Sequence, residues 1–259
     1  MRRVIGELSG ASCDRICGHA TMFARMKTDI HGLAMSMPSV ITIDGPAASG
    51  KSTLGELLAK RLGYTYFDTG VLYRALTYLV LQRGIALDDI DGIVQIAEST
   101  ELAVTSPTVA DGRQYTVLAN GQDITWALRT PEVERNVSII SSYPAVRAAL
   151  REKQRSIGRQ GKVVMVGRDI GTVVMPDADF KVFLIASAQE RAHRRHAELA
   201  GKGQNVPYET VFQDLERRDA LDQQNTFQPE GAYVLNTDGM TPADVVGKLV
   251  SALEARARA

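Results

Sequence analysis

No stretch of this chain reaches the about 18 consecutive apolar residues that a membrane-spanning helix needs, so the sequence reads as a soluble protein without a membrane partner. Nor is either charge in excess. The 30 lysines and arginines are balanced by 30 aspartates and glutamates, which removes any net-charge argument for nucleic acid as a partner and leaves phosphate chemistry to local clusters. Cysteine is nearly absent: Cys13 and Cys17 are the only two, and neither lies in the body of the chain. That scarcity fits a reducing, cytoplasmic setting in which disulfides play no part. Also missing are an internal repeat and the Asn-Lys-x-Asp run by which GTPase switches read guanine. A length of 259 residues allows one large α/β domain with insertions, or two small domains.

Residues 1–38 lack sustained periodicity and mix Gly, Ser, Cys and His with Met22, Met26, Met35 and Met37. The expectation is a poorly ordered extension. It has no continuous apolar core of a secretory signal, and its scattered acids argue against a transit peptide. An upstream extension of the reading frame, with a functional start near Met35 or Met37, would account for the composition. Cys13, Cys17 and His19 are poorly spaced for a metal and have no fourth ligand, so they are read as incidental.

What the chain does have is a strand, a loop and a helix in a telling order. The apolar Val40-Ile41-Thr42-Ile43 leads through Asp44 into Gly45-Pro46-Ala47-Ala48-Ser49-Gly50-Lys51-Ser52-Thr53, and Leu54, Leu57, Leu58 and Leu62 follow at helical spacing. Glycines let successive backbone N–H groups turn inward around phosphates, Lys51 reaches the terminal ones, and the Ser52 hydroxyl ligates magnesium. The helix adds its positive N-terminal end. Gly45 to Thr53 therefore read as a nucleoside triphosphate site, with Ser52 as the metal ligand.

Downstream, Gly63 closes the helix, Tyr64–Phe67 is a short strand, and Asp68-Thr69-Gly70 opens a helix running to Gly84. Residues 101–125 change character. Their alternating runs and the Asn120-Gly121 turn predict a small antiparallel meander, an insertion in the alternation of helix and strand. Helices resume through residues 131–159, and Val163–Val166 and Lys181–Ile185 suit buried parallel strands. A charged helix from about Ala188 to Leu199 stops at Gly201, a flexible stretch to Asn205 follows, and Pro207 starts the next helix. Tyr233–Leu235 is the last strand, and residues 241–256 form a terminal helix. This order implies a parallel sheet covered by helices on both faces, with ligands at the carboxyl ends of its strands. Asp68, Thr69, Gly167, Arg168 and Asp169 each follow a predicted strand and should share that rim.

Phosphoryl transfer asks of a protein mainly positioning and dispersed positive charge. Arg74 lies one turn into the helix opened by Asp68, and Arg168 follows a buried strand directly, where a planar guanidinium can grip a phosphate with two bonds. Arg191, Arg194 and Arg195 share one helix face. Such a run alone is a solvated face partly answered by Glu190 and Glu198, but the glycine-bearing loop after it points to a mobile lid. Arg218 and Asp222, four apart, read either as an ion pair or as a grip on ligand hydroxyls.

Taken together, Ile43-Asp44-Gly45-Pro46, Asp68-Thr69-Gly70 with Tyr73-Arg74, the run from Gly167 to Ala178 (Gly-Arg-Asp-Ile-Gly-Thr-Val-Val-Met-Pro-Asp-Ala) and Glu190–Arg195 resemble the bacterial cytidylate kinases. The resemblance extends from about residue 39 to the carboxyl end. Adenylate, guanylate and thymidylate kinases share the phosphate loop but not Gly-Arg-Asp-Ile-Gly-Thr. The resemblance implies a P-loop NTPase fold over 39–259, with a small nucleoside monophosphate-binding insertion at about 85–160 and a lid at about 190–208. It implies a monomer in which ATP, with Mg²⁺, phosphorylates CMP or dCMP. By the same resemblance Lys51, Arg168, Arg191 and Arg195 would be catalytic, Thr69, Arg74 and Arg168 would hold the acceptor phosphate or sugar, Ser138, Arg147 and Asp169 would read cytosine, and Arg218 and Asp222 the ribose. A carboxylate suits the cytosine 4-amino donor and rejects the uracil carbonyl.

The chain departs from that resemblance twice. Val166 stands where the family usually has Asp or Glu before Gly-Arg-Asp, so metal handling is expected to be weaker or to pass to Asp169 or Asp44. Asn225 stands where the family has arginine, followed by Phe227-Gln228-Pro229-Glu230 in place of an Ala-Pro-Leu-like segment, which removes one cation from the acceptor site. Two other readings follow: a kinase for another monophosphate such as UMP, and a nucleotide-binding regulatory protein with weak or lost turnover.

Overall fold

Val40–Asp44 (β1) is buried at every position. The structure, a computed structural model, describes residues 37–105 and 107–258; the expectations for Cys13, Cys17, His19 and the rest of residues 1–36 lie outside them. The other main strands are β2 (Thr65–Asp68), β6 (Val163–Gly167), β7 (Phe180–Ile185) and β8 (Tyr233–Asn236). All pair in parallel in the order β2-β6-β1-β7-β8. The central place of β1 explains its unbroken burial, since a parallel strand covered on both faces has no solvent side.

Helix α1 (Lys51–Leu62) starts after Gly50 (φ 92) and closes on Gly63 (φ 70), left-handed positions that glycine takes without the Cβ penalty. Helix α2 (Gly70–Gln82) follows β2. A further helix, α3 (Ile90–Ser99), was not anticipated from the sequence. The meander is present as β3 (Leu102–Thr105), β4 (Thr116–Ala119) and β5 (Gln122–Asp123), antiparallel throughout. Asn120 (φ 50) and Gly121 (φ 80) make its tight turn, both with the positive φ that a two-residue hairpin loop requires. Helices α4 (Pro131–Ser142) and α5 (Pro144–Gly158) each begin with proline, whose missing N–H is no loss there. A single π-helical turn, Ile170–Val174, follows β6. Helices α6 (Ala188–Gly201) and α7 (Tyr208–Asp222) precede β8, and α8 (Pro242–Arg258) follows it.

Phe67, Leu72, Leu76, Ile93, Val117, Ile140, Leu150 and Met165 pack in one cluster, each at most 1% exposed. They come from β2, α2, α3, β4, α4, α5 and β6, so the small antiparallel sheet and the main sheet share one core. A smaller cluster of Ala47, Ala192, Val211 and Leu215 seats α6 and α7 against the phosphate loop.

Candidate active site

The parallel register sets three strand ends side by side: Val166 pairs with Asp68 on one flank and Ile43 on the other, and Gly167 pairs with Asp44. From β1 the loop rises at Gly45, where a Cβ would stand 2.5 Å from the Leu184 carbonyl oxygen of β7, so only glycine fits. The Lys51 ammonium curls back over this loop and donates to the Pro46 carbonyl at 2.6 Å. Burial, and then the positive field of Arg168, lower its pKa to about 7. The Ser52 hydroxyl donates to Asp68 Oδ2 at 3.4 Å, while Asp68 Oδ1 accepts the Gly70 N–H at 2.9 Å.

Across the rim, Arg168 and Asp169 point to different partners. Arg168 Nη2 lies 2.5 Å from Asp222 Oδ2, and Arg218 Nε stands 3.8 Å from that same oxygen. The Nε atoms of both arginines are buried and make no hydrogen bond. Asp169 Oδ2 meets Arg147 Nη2 at 2.6 Å, and the Arg147 guanidinium lies 5.5 Å over the centre of the Tyr73 ring. Thr69 is buried and donates its hydroxyl to the Val166 carbonyl at 2.9 Å, leaving only lone pairs to offer a ligand. Arg74 Nε donates to Glu134 Oε1 at 3.1 Å. Ser138 is half-buried on α4, one turn beyond Glu134, and its carbonyl accepts the Ser141 hydroxyl at 3.3 Å.

Asp44 anchors the turn that carries Arg168 and Asp169. Fully buried, it accepts the N–H groups of Ile170 at 2.8 Å and Gly171 at 2.7 Å, and burial lifts its pKa to about 6 against the pull of those two bonds.

On α6, Arg191 is 5% exposed. It donates to the Ala47 carbonyl of the loop, to both oxygens of Asp219 on α7 and to the Ala186 carbonyl. Arg194 bonds Glu190 and both oxygens of Thr237, and its Nη1 stands 3.9 Å from where a Cβ of Gly50 would lie. Arg195 pairs with Glu198 at 2.8 Å on the exposed face. Glu190 and Glu198 thus answer Arg194 and Arg195, while the answer to Arg191 comes from a different helix.

Positive fields converge on Lys51 and Arg218. Arg168 and Arg218 both lower Lys51, and Arg218 is itself brought down to about 10 by burial and then Arg168, with Arg74 adding to it. Burial and neighbouring positive charge disfavour the charged forms of Lys51 and Arg218; an anion relieves them, and a nucleotide phosphate supplies one. Asp68 as partner of Ser52, Tyr73 under Arg147, Glu134 against Arg74 and Asp219 against Arg191 were not assigned these parts from the sequence. Asp68 carried a signal, since it directly follows a strand; Glu134 carried none, being 60 residues from Arg74.

A phosphate loop on the central strand of a parallel sheet, with a half-buried lysine and convergent arginines at its mouth, defines a P-loop phosphotransferase. The family model described as cytidylate kinase matches residues 41–255. The chain belongs to the cytidylate kinase family. It is 53% identical over 225 residues to the cytidylate kinase of Herpetosiphon aurantiacus, covering 87% of this chain and 98% of the relative. The cytidylate kinase of Chloroflexus aggregans is 52% identical over 217 residues, with 84% and 94% covered. That of Bacillus subtilis is 40% identical over 222 residues, with 84% and 97% covered.

Proposed function

We propose that this kinase transfers the γ-phosphate of ATP to CMP or dCMP, giving CDP or dCDP, and that it works as a monomer in the cytoplasm on these small molecules alone. The observation that carries the choice of acceptor is the Arg147–Asp169 pair at 2.6 Å, seated on Tyr73. It holds a carboxylate fixed at the rim, where it accepts from the cytosine 4-amino group and repels the carbonyl of uracil.

Around it the other parts take their places. Gly45, Ala47, Ala48, Ser49, Gly50 and Thr53 cradle the donor phosphates through backbone N–H groups in the loop that Pro46 helps to shape, and Lys51 neutralises the terminal ones. Thr69, Arg74 and Arg168 hold the acceptor phosphate, Ser138 borders the base, and Arg218 with Asp222 grips the ribose. Arg168 faces both substrates and stabilises the charge spreading over the phosphoryl oxygens in transfer. Arg195 reaches the site from the lid, its field already felt at Glu134. Arg191 is committed to Asp219 and the loop, so it serves catalysis by positioning Ala47. The Ser52 hydroxyl beside the Asp68 carboxylate is a pair of hard oxygen donors that fits Mg²⁺. When bound, that ion offsets charge on the phosphates.

The test is product identification by ³¹P NMR with ATP, Mg²⁺ and CMP. Equal amounts of CDP and ADP support the reading; ADP without CDP overturns it.

A further inference from the structure

Valine at position 166 leaves open which carboxylate serves the magnesium ion. Two of the carboxylates within reach are already engaged. Both oxygens of Asp44 accept backbone N–H groups inside the protein, and Asp169 is paired with Arg147. Val166 itself fills the space under α1: its Cγ1 lies 2.5 Å from where a Cβ of Gly55 would stand, so glycine at 55 makes room for valine at 166. Gly55 is one helical turn beyond Ser52 on the same face. An apolar side chain therefore occupies the ground beneath the metal-binding hydroxyl.

Asp68 is the neighbour of Val166 across the β2–β6 pair. Its Oδ1 is fixed by the Gly70 N–H, which aims Oδ2 at Ser52 Oγ, 3.4 Å away. Adjacent oxygens in an octahedral magnesium shell stand about 3 Å apart, so hydroxyl and carboxylate are already spaced close to neighbouring positions around one ion. The negative charge of Asp68 also acts on Lys51, which places it at the phosphate end of the loop.

We propose that Asp68 is the carboxylate of the magnesium shell in this chain, supplying beside Ser52 the oxygen that Val166 lacks; this rests on the reading of the site as an ATP-dependent kinase. Magnesium keeps several waters and takes only one or two carboxylates together with nucleotide phosphates, so a single aspartate suffices.

Calorimetric ATP binding to the full chain, in EDTA and in excess Mg²⁺, tests this without recourse to turnover. Asp68→Asn keeps an oxygen for the Gly70 N–H, removes the charge and puts an NH₂, which cannot ligate magnesium, in place of the oxygen facing Ser52. The unmutated protein is expected to bind ATP more tightly with Mg²⁺, and the variant to lose about 10-fold or more of that gain while its binding in EDTA is unchanged or tighter. Asp68→Asn/Val166→Asp, which puts a carboxylate on the adjacent strand, is expected to recover the gain. Val166→Asp alone is expected to increase it, and serves if Asp68→Asn does not fold. A full magnesium gain in Asp68→Asn, or no increase in Val166→Asp, overturns the assignment. Absence of ATP binding by the unmutated protein in both conditions would overturn the kinase reading, and this assignment with it.

Discussion

Arg191 and Asp219 meet fork to fork, Nη1 to Oδ1 at 3.0 Å and Nη2 to Oδ2 at 2.6 Å, and the same Nη1 holds the Ala47 carbonyl of the phosphate loop at 3.1 Å. One guanidinium thus ties α6 to α7 and both to the loop. Arg191→Ala strands a carboxylate and a buried carbonyl, and should lower stability by about 2–4 kcal/mol, with weaker ATP binding as the loop loosens. Arg191→Lys restores charge without the fork and should recover only part. Thermal denaturation reads the effect; an unchanged midpoint in Arg191→Ala removes the role.

Lys51, with a pKa near 7 in the free protein, is largely neutral at pH 8.5. A bound triphosphate favours its charged form and raises that value, so ATP binding at pH 8.5 should take up close to one proton. Calorimetry in buffers of different ionisation enthalpy counts it. In Lys51→Met the uptake should vanish and turnover should fall by at least about 10²–10³-fold; uptake that persists in the variant assigns the proton to another group.

Asp44 titrates at about 6 in the folded protein against 3.8 ordinarily. The folded state therefore keeps this proton to higher pH than the unfolded chain does. Its contribution is fully present below pH 4 and is lost as pH rises through 4–6, by about 3 kcal/mol in total. Urea denaturation across that range should show unfolding free energy rising less steeply with pH in the unmutated protein than in Asp44→Asn. Coincident slopes would mean that Asp44 does not titrate there. The groups whose charge bears on it are Asp169, which raises its pKa, and Lys51, which lowers it.

Asp169→Ala should reduce the ratio of kcat/KM for CMP over UMP by about 10²-fold or more, because the acceptor for the 4-amino group is gone. Asp169→Asn, which can present an amide N–H to a carbonyl, should shift that ratio further toward UMP. Initial rates with both acceptors decide it, and an unchanged ratio in either variant would move base recognition elsewhere.

Much of the donor half was legible because its signals are local. The apolar Val40–Ile43 run, glycines at 45, 50 and 63, and leucines at helical spacing each follow from neighbours in sequence, as does the Asn120-Gly121 turn. Helix α3 was hidden by Gly92 in its first turn, where Asp89 accepts the Gly92 N–H and a Cβ would meet that carboxylate. On the acceptor side, strand-ending residues marked the rim, but no period links Arg74 to Glu134, Arg147 to Asp169 or Arg191 to Asp219. Those pairs exist because the sheet order and the packing of helices around it bring distant segments together. For the same reason the sequence pointed to Asp44 and Asp169 as substitutes for a carboxylate at 166, whereas the fold engages both and turns Asp68 toward Ser52.

The most direct measurement is ADP release in a coupled assay with ATP and Mg²⁺, offering CMP, dCMP, UMP, AMP and no acceptor in parallel. Turnover with CMP and dCMP, far above that with UMP, AMP or water, is the predicted result and would show that valine at 166 and asparagine at 225 are compatible with catalysis. Faster turnover with UMP or AMP, or a silent panel from a protein that binds ATP, would contradict cytidine monophosphate phosphorylation as the function of this site.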